Sequence, residues 1–195
     1  MLEERIIAED DTYYVIATLG QITDGGYALI VPKRHVSCIG EMTPGEIEEM
    51  AVWEERLSLA IRETGWGPSV CFEHGKVGQT VQHAHLHVVP AELWELTARV
   101  EKDFPTRRIT AVNSFCQLRE AYTDHLAPYL FWRLGDGVHR ICWDPPAPKQ
   151  YLRIIVAELL GRPERADWKK MDADLDKRLW QETVSRLKQH FPKNP

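Results

Sequence analysis

Short apolar runs separated by turn residues dominate the first half of the chain, with one stretch at helical spacing between them. Ile6-Ile7 and Tyr13-Tyr14-Val15-Ile16 lie either side of Glu9-Asp10-Asp11 and predict two short strands and a turn. After the turn residues Thr23-Asp24-Gly25-Gly26, the run from Tyr27 to Val31 predicts a buried strand that Pro32 ends. From there the period changes. Ile47, Met50, Trp53, Leu57 and Ile61 recur at three- and four-residue spacing, which predicts an amphipathic helix from Thr43 to Thr64. Thr43 as N-cap, Pro44 at the first helical position and Glu46 completing a capping box mark its start, and Gly65 its end. Val70-Cys71-Phe72 begins a further strand, which a loop through Glu73-His74-Gly75-Lys76 joins to Gly78 and a second strand reaching Pro90. In that second strand His83, His85 and His87 alternate with Ala84, Leu86 and Val88. Successive side chains of a strand point to opposite faces, so one face is a row of imidazoles and the other is apolar.

Beyond Pro90 the pattern is mixed. A short helix is expected from Glu92 to Val100, an extended segment from Arg107 to Val112, and a helix capped by Asn113 or Ser114 running through Leu118. Pro128 to Arg133 and Val138 to Trp143 form a hairpin of aromatic and β-branched strands around Leu134-Gly135-Asp136-Gly137. The stiff connector Asp144-Pro145-Pro146-Ala147-Pro148 then leads to helices at about 150–160 and 172–191. His125, His139 and His190 read as surface or structural residues.

At 195 residues the chain can build a core without disulfides. Its formal net charge of -5 argues against a nucleic-acid backbone or an anionic membrane as the main partner. The four cysteines, Cys38, Cys71, Cys116 and Cys142, include no Cys-x-x-Cys pair. They read as thiols in a reducing cytoplasm and count against a cysteine-rich zinc site. No leader pattern follows Met1 and no apolar run approaches membrane-spanning length, so a cytoplasmic location is expected.

No folding requirement explains a row of titratable histidines. Three readings compete: a solvated strand face, a metal site in which two strand histidines meet a third ligand from elsewhere, and an imidazole nucleophile acting on phosphorus. Beside the row, the backbone N–H groups of Gly78-Gln79-Thr80 and the Thr80 hydroxyl are candidate holders of phosphate oxygens. Lys33 and Arg34 read either as a cationic rim near such a site or as a solvated loop.

The segment His83-Ala84-His85-Leu86-His87-Val88-Val89 resembles the signature of the histidine-triad (HIT) superfamily, three histidines alternating with apolar residues. Upstream, Gly26-Tyr27-Ala28-Leu29-Ile30-Val31-Pro32-Lys33-Arg34-His35 resembles the block that carries an additional family histidine. The resemblance implies an α+β fold, an antiparallel sheet with the 43–64 helix against it, in a HIT-like catalytic domain over residues 1–105. Residues 106–195 are then a C-terminal extension of hairpin and helices packed on it. That extension is free to cover the cleft, to supply contacts missing elsewhere, or to occupy the surface through which small HIT domains dimerise.

The implied activity is hydrolysis of a nucleotide phosphoanhydride, phosphoramidate or dinucleoside polyphosphate. His85 is the implied nucleophile, forming a covalent nucleotidyl-histidine, and His87 the implied contact to phosphate oxygens. His83 and His35 are implied as a pair behind them, with Gly78, Gln79, Thr80 and Glu73 at the substrate. No cofactor is required, zinc is not favoured, and a homodimer is one implied assembly. Transferase relatives usually carry Gln in place of the third histidine, so His87 tilts the reading to hydrolysis. Two positions depart from the family pattern: Tyr27 stands where many members have His, and Leu19 where nucleotide-binding members place Asp or Asn for the ribose. Nucleotidyl transfer, a nucleotide- or phosphate-binding protein without turnover, and a zinc-dependent hydrolase stay open as alternatives.

Overall fold

A computed structural model describes residues 2–192. The strands are β1 (Ile6–Glu9), β2 (Tyr13–Ala17), β3 (Ala28–Pro32), β4 (Ser69–Gly75), β5 (Leu86–Pro90), β6 (Ile109–Val112), β7 (Tyr129–Arg133) and β8 (His139–Trp143). The α-helices are α1 (Pro44–Glu63), α2 (Leu96–Asp103), α3 (Phe115–His125), α4 (Tyr151–Leu159) and α5 (Ala173–Leu187). The fold is α+β, with one eight-stranded sheet in the order β1-β2-β3-β5-β4-β7-β8-β6. Every neighbouring pair runs antiparallel. The second half of the chain continues the sheet of the first, because β7 pairs with β4 from Cys71↔Arg133 to Gly75↔Tyr129.

Helices cover both faces of this sheet. Along β4 and β5 the two-residue period sends Cys71, Leu86 and Val88 to the core that holds Ile47, Met50 and Leu57 of α1. The same period sends Val70, Phe72 and Val89 to the core that holds Leu152, Ile155 and Val156 of α4. The start of α1 is as the sequence specifies: the Thr43 hydroxyl accepts from the Glu46 N–H, and Glu46 reciprocates at the Thr43 backbone. Its apolar stripe is wholly buried, each large side chain contributing about 1.5–3 kcal/mol, so packing more than propensity holds the helix.

Several boundaries differ from the sequence expectation. β5 begins at Leu86, leaving His83 in a bend and His85 in the irregular residues between that bend and the strand. Pairing with β3 ends at Ile30↔Leu86, and the Ala84 N–H is taken instead by the Val36 carbonyl at 2.7 Å, from the loop after β3. Glu73-His74-Gly75, expected as loop, is strand, because β7 supplies partners that the local pattern does not announce. α2 starts at Leu96, α3 runs on to His125 and α5 ends at Leu187 before a 3-10 turn from Lys188 to His190. All four cysteines are free thiols. Among the described residues no helix is long and apolar enough to cross a membrane.

Candidate active site

The histidines form a chain of hydrogen bonds at the head of β5. The ring of His83 is anchored by Nε2 to the Pro32 carbonyl at 2.7 Å, which places its proton on Nε2 and leaves Nδ1 as an acceptor. His35, from the exposed loop after β3, meets that nitrogen with its own Nδ1 at 3.2 Å. The expected pair is therefore in contact. Next, Nδ1 of His85 donates to the His83 carbonyl at 2.7 Å, which fixes the tautomer with a free lone pair on Nε2. Burial lowers the pKa of His85 below the ordinary 6.5, although its bond to the His83 carbonyl opposes this, so the ring is neutral at pH 7.

His87 lies within β5 and stacks on Phe72 of β4, ring centroids 4.3 Å apart and nearly parallel at 12°. Its centroid is 4.8 Å from that of His85. Nδ1 of His87 meets the Tyr27 hydroxyl at 2.5 Å, while its buried Nε2 has no partner among the described residues. Burial, then His85, His74 and Arg153, holds this ring well below the usual histidine range. Tyr27, which departs from the family pattern, therefore takes a place directly behind a triad histidine.

These rings open on a cavity of about 390 Å³. Gln79 and Thr80 line it with His83, His85 and His87, and Gln79 is braced by its amide N–H donating to the Ser37 carbonyl at 2.8 Å. Its apolar wall includes Ile16, Leu19, Leu29 and Val31. A larger hollow of about 770 Å³ between α1, α3 and β8 contains none of the residues expected at the site.

Four residues weighed for the site stand elsewhere. Glu73 is fully buried and does not line the cavity. In β4 it points to the face opposite Phe72 and His74, and its carboxyl accepts from the Ile39 N–H at 2.8 Å and the Tyr129 hydroxyl at 2.6 Å. Burial pushes its pKa up to about 7. Gly78 also stays off the cavity wall. Its φ of +66° and the close Pro148 carbonyl, on which a Cβ would fall, make it the seat of the connector before α4, and its own carbonyl accepts from the Gln150 N–H at 2.8 Å. Lys33 and Arg34 are tied to Glu9 and Glu46 at 3.1 and 2.6 Å and do not reach the cavity.

Other residues enter without a sequence signal for the site. His74 lines the cavity from β4, and its Nε2 accepts from the Leu152 N–H at 3.0 Å, in the first turn of α4. That bond puts its proton on Nδ1, and burial takes its pKa down to about 3. Gln150, Arg153 and Trp168 come from the second half, and Arg5 from the first. Only Arg153 left a trace, as an arginine inside the apolar run Tyr151 to Val156. Among the described residues no group of three or more His, Cys, Asp and Glu is arranged to hold a metal ion.

Comparison with known proteins agrees with the motif. The HIT domain family matches residues 2–93. The bis(5'-adenosyl)-triphosphatase of Dictyostelium discoideum is 32% identical over 73 residues, 36% of this chain and 49% of its own. An uncharacterized HIT-like protein of Mycobacterium tuberculosis is 32% identical over 87 residues, 43% of this chain and 60% of its own. This chain thus spans about half of the first relative's length and 60% of the second's. Among solved structures, a zinc-bound histidine triad family protein from Mycobacterium smegmatis aligns with a TM-score of 0.41 and 32% identity, over 46% of this chain and 67% of that one. The alternating histidines lie within the stretch that matches the HIT domain family, so residues 2–93 of this chain are identified as a HIT domain.

Proposed function

We propose that the protein hydrolyses a phosphoanhydride, phosphoramidate or dinucleoside polyphosphate linkage of a nucleotide through a covalent nucleotidyl-histidine on His85. The observation that carries this reading is the bond from His85 Nδ1 to the His83 carbonyl, which leaves Nε2 as a free nucleophile in a ring lining the cavity. In the first step the Nε2 lone pair forms a bond to the α-phosphorus, the bond to the leaving group breaks, and that group departs with its electron pair. Water then attacks the phosphorus, the N–P bond breaks back to the neutral ring, and a nucleoside monophosphate leaves. His87, neutral and close to His85, supplies a hydrogen bond to the phosphoryl oxygens, and Gln79 and Thr80 supply further polar contacts at the same cavity.

The similarity to a bis(5'-adenosyl)-triphosphatase supports a nucleotide-conjugate substrate. Leu19 puts an apolar side chain at the cavity where a ribose partner is expected, which favours substrates held by their phosphates and base. The test is incubation of chelator-treated protein with a panel of dinucleoside polyphosphates and adenosine phosphoramidates, with intact-mass analysis of the wild type and His85→Ala. Turnover with an adduct that needs His85 is expected. Turnover only after zinc is restored would replace this mechanism with the metal reading, and binding without turnover or adduct would make the protein a nucleotide-binding member.

A further inference from the structure

Arg153, in α4 of the second half, reaches the triad through one intermediary. It is only 4% exposed, and its guanidinium donates to the Ala166 carbonyl at 2.8 Å, to the Arg165 carbonyl at 3.1 Å and to the Gly20 carbonyl. The remaining nitrogen, NH1, lies 3.4 Å from the Tyr27 hydroxyl, and the guanidinium carbon sits 5.6 Å from the centre of the tyrosine ring. A guanidinium donates and never accepts, so the Tyr27 oxygen is the acceptor of that contact. Its own proton then has one destination, Nδ1 of His87 at 2.5 Å. A histidine that accepts at Nδ1 while neutral carries its proton on Nε2, and this is the buried nitrogen with no partner among the described residues. Buried donors are almost always matched, so an unmatched one beside the His85 nucleophile marks a place that a ligand oxygen completes.

We propose that Arg153 and Tyr27 are a positioning pair that fixes the His87 proton on Nε2 and so sets the donor that meets the phosphoryl oxygens. The pair joins the two halves of the chain, and it gives the tyrosine that replaces the usual family histidine a definite task. Tyr27 is fully buried, so no water competes for its hydroxyl. The part played by His87 in turnover rests on the phosphorus chemistry proposed above, whereas the position of its proton does not.

Heteronuclear NMR of the imidazole nitrogens in the ligand-free wild-type protein tests the tautomer directly. A protonated Nε2 and an unprotonated Nδ1 at His87 are expected, and the reverse would overturn the proposal whatever the enzyme's substrate proves to be. Tyr27→Phe keeps the ring and removes the hydroxyl. It is expected to lower kcat about tenfold with KM little changed, as the loss of one positioned hydrogen bond in the transition state requires. An unchanged kcat would overturn the pair's role in turnover. Arg153→Gln separates positioning from support of the fold. If Arg153 acts through Tyr27, its effect on kcat disappears in the Tyr27→Phe background, and additive effects would remove Arg153 from the pair.

Discussion

On one face at the head of β5, the side chains of Ala84, Leu86 and Val88 are wholly buried in the apolar core that also holds the stripe of α1. On the other, His87 is nearly as buried at 6%, yet it is held by a hydroxyl, a stacked Phe72 and neighbouring imidazoles. Adjacent residues of β4 repeat the contrast: Glu73 and His74 point to opposite faces and are both buried, and burial moves their pKa values in opposite directions, up to about 7 and down to about 3. Burial alone does not distinguish a packing face from a reacting one. The difference lies in what surrounds the polar atoms, and in whether one of them is left without a partner.

Substitutions on the two faces separate these roles. His85→Ala has the largest expected effect, a loss of turnover of at least about a thousandfold with the denaturation midpoint nearly unchanged. Steady-state rates beside a thermal melt check it. Leu86→Ala, one position along and facing α1, reverses the pattern: it costs about 2–5 kcal/mol of stability, read from urea unfolding, with kcat retained in whatever fraction stays folded.

The buried carboxyl gives a smaller effect, visible as a pH dependence. Because the folded-state pKa of Glu73 is raised from 4.5 to about 7, the folded state keeps a proton that the unfolded chain releases above 4.5. Its contribution is full below pH 4.5 and is lost as pH rises through about 7. Glu73→Gln, which cannot ionise, flattens that part of the stability profile by about 1–3 kcal/mol, checked by urea midpoints across the range. For catalysis the sign is opposite. The lowered pKa of His85 moves the acid limb of the kcat/KM profile below pH 6.5, so activity persists where an ordinary histidine would already be protonated. Thr43→Ala, which only removes the cap of α1, has the smallest expected effect, about 1 kcal/mol with no change in kcat.

Elements whose partners lie nearby in sequence were legible. The capping box and apolar period defined α1 almost to the residue, and the alternation around His85 correctly placed Leu86 and Val88 in a core. What failed depended on distant pairing. Nothing local shows that β7 extends β4 through Glu73, so a residue read as a loop ligand is a buried structural acid. The Gly78-Gln79-Thr80 pattern suggests a holder of phosphate oxygens, yet Gly78 itself serves the crossing of the connector before α4. Arg153 and Trp168 reach the cavity only through the packing of α4 and the segment after it. A period of two or 3.6 residues carries no information about contacts made across more than fifty positions.

The pairing of β7 with β4 also bears on any attempt to isolate the signature-bearing piece. Severing the chain after residue 105 would strip the partners from Cys71 to Gly75 and turn a central strand into a bare edge. It would also uncover the apolar side chains that α4 and α5 now shelter. Unpaired strand edges beside apolar surface recruit further copies of themselves. The fragment that holds every residue of the histidine signature would therefore aggregate, and the segment after it acts as the sheet's protection against self-association as well as part of its wall.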